Sequence, residues 1–213
     1  MDGSYWRSIF GDALRAARQW SAEQARSEGI LSALVEFHSR LQSLSVANSM
    51  QRSIVGVLDT EGTVPCLRAK HLRGMENLLS ALQSCITRFE ALQVELAELH
   101  ANVWQRHGKC MAQPETQAVQ PVSTVVGAGL GLASRIVLMA PPLQCLEWLQ
   151  ELDKTYSGEL LLKLQLFDSI SYEMEPARLG QVVRLWNVQP HVRSAPLERL
   201  EALVMSLSDQ EKQ

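Results

Sequence analysis

The sequence predicts a mainly α-helical protein. A long antiparallel helical hairpin or coiled coil comes first and a C-terminal helical module follows, with a small β-hairpin as one option between them. Three observations lead there. Leucine supplies 32 of 213 residues and isoleucine six; unbranched leucine keeps most of its rotamer freedom in a helix, whereas β-branched residues favour sheet. Apolar residues from Met75 to Val103 keep an unbroken alternation of three and four, the mark of a helix with one buried face. Prolines stand where helices would begin or end.

The first element spans about Ser4 to Val46. Phe10, Ala13, Ala17, Trp20, Leu31, Leu34 and Leu41 form its seam, which Gln24, Ser27 and His38 interrupt with polar groups. Gly29 marks an expected kink or break. The second element spans about Pro65 to His107. Its seam is Met75, Leu78, Leu82, Cys85, Phe89, Leu92, Leu96, Leu99 and Val103. A single apolar seam has to be buried, and the first helix, packed antiparallel after a short connection, is the nearest partner. Closure across a dimer is the alternative.

From Gly108 to Pro142 the periodicity disappears, leaving a linker or a small hairpin around the β-branched patches. Leu146, Leu149, Leu152, Tyr156, Leu160, Leu164 and Phe167 then mark a helix ending near Ser171. Pro176 opens a short helix carrying Leu179, Val182, Val183 and Trp186, and Pro196 opens the last. The expected domains are residues 1–107 (N-terminal helical hairpin), 108–142 (linker or small hairpin), 143–207 (C-terminal helical module) and 208–213 (disordered tail).

Charge and targeting narrow the function. Twenty basic against 23 acidic residues give a net charge of −3, so direct nucleic-acid binding through phosphates is not expected. The N-terminus carries no basic stretch followed by an apolar run, which argues against secretion and for reduced, mostly buried cysteines at 66, 85, 110 and 145. Val122 to Leu143 is long and apolar, but Arg135, Gly127, Gly129, Gly131 and the Pro141-Pro142 pair argue against a membrane span.

No catalytic constellation emerges. Gly127, Gly129 and Gly131 lack the third glycine of a dinucleotide loop and the βαβ context it needs. His100, His107 and Cys110 lack a fourth zinc ligand nearby and read as residues near a helix end, the histidines solvated. Glu151 with Asp153 and Glu173 with Glu175 read as solvated carboxylate pairs. The five tryptophans, Trp6, Trp20, Trp104, Trp148 and Trp186, read as core residues, except that Trp148 falls off its helix's main seam and is a candidate to face a partner. No enzyme, cofactor or metal is expected.

Three blocks near the C-terminus carry a resemblance. Tyr156-x-x-Glu159-Leu160-Leu161-Leu162-Lys163 is followed by Leu185-Trp186-Asn187-Val188-Gln189-Pro190-His191-Val192, and then by a Leu/Glu-rich helix from Leu197 to Leu203. In order and spacing they resemble the cyclin-dependent kinase 2-interacting protein family, although His191 stands where that family has an aromatic residue. Leu146-Glu147-Trp148-Leu149-Gln150 also resembles a relative, the small ribosome-maturation subunit that pairs with that protein in a AAA ATPase assembly. The later blocks favour the kinase-interacting family.

The resemblance implies a non-enzymatic adaptor of nuclear and cytoplasmic residence. Its implied partners are a type II AAA ATPase, a paralogous small helical subunit, cyclin-dependent kinase and checkpoint proteins. Its implied processes are DNA replication, genome stability and ribosome maturation. The candidate partner-binding positions are Trp148, Tyr156, Glu159, Leu160, Leu161, Leu162, Lys163, Trp186, Gln189 and Pro190. Leu160, Leu161 and Leu162 cannot share one helix face, so burial within the subunit and burial by a partner both stay open. The alternative function is a structural coiled-coil tether or scaffold, for which the Trp186–Val192 block would be superfluous.

The seam itself is testable. Leu82→Asp combined with Leu96→Asp puts charge into apolar surroundings and costs several kcal/mol. Helicity and melting temperature should collapse in circular dichroism, and an unchanged melt would contradict the seam.

Overall fold

A computed structural model describes residues 3–54, 63–112 and 143–210, with side chains described over 5–44, 65–107 and 145–206. The described residues are mainly helical, with five helices and no strand: α1 (Gly3–Ile54), α2 (Thr63–Ala112), α3 (Leu143–Asp168), α4 (Pro176–Val188) and α5 (Ser194–Gln210). Of the expected linker or small hairpin, residues 108–112 continue α2, and 113–142 lie outside the described residues.

Two compact units emerge, and neither follows the order of the chain. One comprises the described residues within 1–19, 92–158 and 191–213; the other comprises those within 20–91 and 159–190. In the first, α1 buries Trp6, Ile9, Phe10, Ala13, Leu14, Ala16 and Ala17. The same unit buries Leu92, Leu96 and Val103 of α2, Cys145 to Tyr156 of α3 at helical spacing, and Leu200 of α5. The Arg106 guanidinium lies 3.9 Å from the Tyr5 ring centroid. Asp153 accepts from Gln93 at 3.3 Å and pairs with His100 at 3.1 Å, so His100 is engaged with a carboxylate rather than simply solvated.

In the second unit Trp20 packs on Phe89 with centroids 4.4 Å apart, and Phe37 meets His71 at 5.6 Å. Later residues of α1 therefore meet earlier residues of α2. The α2 seam is buried as its spacing predicts, with Leu78 and Leu99 half-buried. The three polar interruptions of the α1 seam are buried too: Gln24, Ser27 and His38 are each at most 3% exposed.

Two expectations need correction. α1 runs unbroken through Gly29, because backbone hydrogen bonding along a long packed helix outweighs one glycine's modest propensity deficit. The buried stripe of α3 turns away from Leu160, Leu164 and Phe167. Beyond Tyr156 it passes through Glu159, Lys163 and Leu166, which continue the same four-three spacing.

Two helical glycines should respond in opposite senses. A Cβ at Gly29 would meet nothing within 4 Å, whereas one at Gly74 would collide with the Phe37 ring. Gly29→Ala should stabilise the fold by about 0.5–1 kcal/mol, read by urea denaturation. Gly74→Ala should forfeit that gain, and equal gains would contradict the Phe37 packing.

Candidate functional site

The second unit contains a polar cluster whose centre is withdrawn from water. Its centre is Lys163, on α3, with a side chain 0% exposed. The helical spacing that puts Tyr156, Glu159 and Lys163 on one face of α3 also stacks the carboxylate one turn below the ammonium. Lys163 Nζ lies 3.3 Å from Glu159 Oε1, and the Glu159 side chain is equally buried.

Three other helices complete the surroundings. From α1, Gln24 Oε1 accepts from Lys163 Nζ at 2.7 Å. The Gln24 amide donates to the Trp186 carbonyl at 3.1 Å and to Glu28 at 2.8 Å. From α2, the Phe89 ring centroid lies 5.3 Å from the ammonium, and from α4 the Trp186 ring lies 4.5 Å away. The Trp186 carbonyl also accepts from Lys163 at 3.3 Å. That carbonyl belongs to the last turn of α4, where acceptors lack helical partners and a cation suits the dipole.

The end of α4 is held from further directions. Trp186 Nε1 donates to Ser27 Oγ at 2.9 Å. Gln189 closes the helix in the left-handed region, with φ 47 and ψ 62. Its side-chain oxygen accepts from Trp20 Nε1 at 3.1 Å, a contact that a glycine in the same backbone conformation could not make. At the other end Pro176 occupies the first turn, where a missing N–H costs nothing.

Burial pushes Lys163 down to about 8, and Glu159 and Glu28 oppose that shift. The Glu159 carboxylate, the Gln24 oxygen and the Trp186 carbonyl around Nζ all favour its charged form. Burial pushes Tyr156 up to about 12 and Cys145 up to about 11; Cys85 rises to about 12 through burial, reinforced by Glu23. Such thiols are poor nucleophiles. Cys85 and Cys145 are buried and Cys66 is exposed, all three free. Among the described residues no three His, Cys, Asp or Glu side chains are grouped to hold a metal, and no helix is long and apolar enough to cross a membrane.

The sequence-derived partner positions divide sharply. Tyr156, Glu159, Lys163 and Trp186 are buried within the chain, whereas Trp148, Leu160, Leu162 and Gln189 are half-buried. Leu161, 58% exposed, and Pro190 reach the surface. Trp148 lies under the Arg199 guanidinium, 5.9 Å from its ring. The structure brings Glu159, Lys163, Trp186 and Gln189 into one cluster. Gln24 and Ser27 belong to it as well, and their signal in the sequence was polarity at seam positions. Trp104, 54% exposed, was expected in a core.

A family model described as CA109-like, ribosome biogenesis protein C1orf109-like, matches residues 3–208. No curated protein matches the chain. The cyclin-dependent kinase 2-interacting family is not the one matched. The description that matches speaks of ribosome biogenesis, as does the second resemblance at Leu146–Gln150.

The cluster makes two linked predictions. Lys163→Met leaves Glu159 buried without its cation and should cost about 3–5 kcal/mol, while adding Glu159→Leu should restore most of the loss. Wild-type stability should rise with pH between about 8 and 10.5. In that window the folded chain has released a proton that the unfolded chain still binds. Lys163→Met should lack this rise in urea titrations; an identical pH profile would contradict the buried ammonium.

Proposed function

The chain belongs to the C1orf109-like ribosome biogenesis protein family, and on that premise we propose that it is a non-enzymatic adaptor subunit acting in ribosome maturation. The match across residues 3–208 supports the setting in ribosome maturation. The finer reading is that the adaptor binds a type II AAA ATPase complex together with a paralogous small helical subunit. Cyclin-dependent kinase and checkpoint proteins are further partners, linking it to DNA replication and genome stability, in the nucleus and the cytoplasm.

Physical features support an adaptor. The Lys163–Glu159 pair at the centre of the cluster is sealed from solvent, so it braces helices and offers no bed for a soluble substrate. Exposed apolar side chains are the usual material of protein contacts, and Leu161, Leu185 and Val188 all stand at the surface of the second unit. In this reading α1 and α2 form an intramolecular hairpin, and the C-terminal helices complete the surface that partners recognise.

Depletion of the endogenous protein tests the premise. Sucrose-gradient profiles should show a fall in mature large ribosomal subunits, restored by the wild-type chain; an unchanged profile would contradict the role. Affinity purification of the tagged chain with mass spectrometry tests the adaptor mechanism separately. Recovery of a AAA ATPase is the expected result, and its absence would remove that partner.

A further inference from the structure

The short helix α4 is held to the second unit by one stripe, Leu179, Val182 and Trp186, all buried. Its opposite face has no partner within the described residues. Ala177, Gln181, Leu185 and Val188 recur there at steps of four, four and three, all exposed. That is the anchor spacing by which one amphipathic helix meets another. Val188 is 71% exposed and Leu185 47%, so the stripe presents two large aliphatic groups to solvent one turn apart.

Within α4 the charge has one sign, although Glu173 and Glu175 precede the helix. Arg178 and Arg184 flank the stripe, and no carboxylate occurs from Pro176 to Val192. Neither arginine makes an ion pair among the described residues, although five others do, and Arg68, Arg73, Arg88, Arg106 and Arg199 share that lack. An apolar stripe edged by uncompensated guanidinium groups is complementary to an apolar stripe edged by carboxylates.

The support behind the face is stiff. The C-terminal turn of α4 is tied by the Trp186 carbonyl to Lys163 and Gln24, by the Trp186 indole to Ser27, and by Gln189 to Trp20. A surface already held in its binding geometry loses less conformational freedom on association.

We propose that the outer face of α4, centred on Leu185 and Val188 and flanked by Arg178 and Arg184, is a docking surface for an acidic amphipathic helix of a partner protein. The proposal deepens the adaptor reading and rests on it for the existence of a partner. The surface itself is assigned by spacing, exposure and charge.

The purified full chain is the bait, and the probe is a displayed library of helical peptides randomised along one face. Wild type should select peptides with apolar residues three and four apart and glutamate or aspartate beside them. Val188→Asp should weaken the selected peptides by about tenfold or more, and Val188→Ser, which adds no charge, should weaken them in the same direction. Arg178→Glu with Arg184→Glu should invert the charge of the selected peptides. These side chains are exposed, so melting temperatures should stay at the wild-type value.

Any of these results would overturn the proposal: no selected peptides, a charge preference that does not invert, binding indifferent to Val188, or the face taken by a second copy. The last would appear as self-association abolished by Val188→Asp. Recovery of the AAA ATPase equally by wild type and Val188→Asp would refute the α4 surface and leave the adaptor reading standing. Selected peptides that obey the charge rule, with no ATPase recovered, would remove the ATPase as a partner and leave the α4 surface standing.

Discussion

An ammonium group withdrawn from water loses solvation that only nearby charge and hydrogen bonds can return. Lys163 is in that position, and its compensation is divided among four helices. α3 supplies Glu159, α1 supplies Gln24 with Glu28 behind it, α2 supplies the Phe89 ring, and α4 supplies the carbonyl and ring of Trp186. Sliding α1, α3 or α4 by a residue would leave a buried charge or amide without its partner, and sliding α2 would take the Phe89 ring away from the ammonium. Apolar seams of leucine tolerate such slips far better, because one methyl-rich side chain substitutes for another. The cluster therefore sets the register of helices that hydrophobic burial alone would hold less specifically.

The same arrangement explains why so short a helix as α4 is fixed in place. Thirteen residues are marginal as an isolated helix, and only three of its side chains are buried. Its N-terminus starts on proline, and its C-terminus ends on acceptors and donors provided by other helices. Trp186 contributes its ring, its indole N–H and its carbonyl at once. The outward side of α4 is left apolar and basic, which makes the buried chemistry the foundation of the surface rather than a site of reaction.

The helical class was legible because leucine spacing survives any context. The α2 seam from Met75 to Val103 could be read residue by residue. The α3 stripe could not be read as well. Leu160, Leu164 and Phe167 fit a helical period, but so do Glu159, Lys163 and Leu166, and hydrophobicity alone prefers the first set. The deciding information lay far off in the sequence, in Gln24 and Ser27, whose polarity looked like a flaw in the first helix and is the complement of the polar pair in the third. Trp104 misled for a different reason. It sits one residue past Val103, and a helix turns through 100° in that step, from the buried face to the exposed one. Gly29 suggested a break because propensity is local, whereas the continuity of α1 depends on packing along its length.

Family membership supplies the biological setting, ribosome biogenesis, and the cluster supplies the physical claim specific to this chain: α4 is held by the polar network around Lys163. Native-state hydrogen exchange tests that most directly, comparing the amides of Val182 to Val188 in wild type and Gln24→Leu. If the network holds the helix, these amides are protected in wild type and lose protection in the variant, while those from Leu96 to Val103 keep theirs. Equal protection of α4 in both proteins, or an α4 unprotected from the outset, would contradict the account.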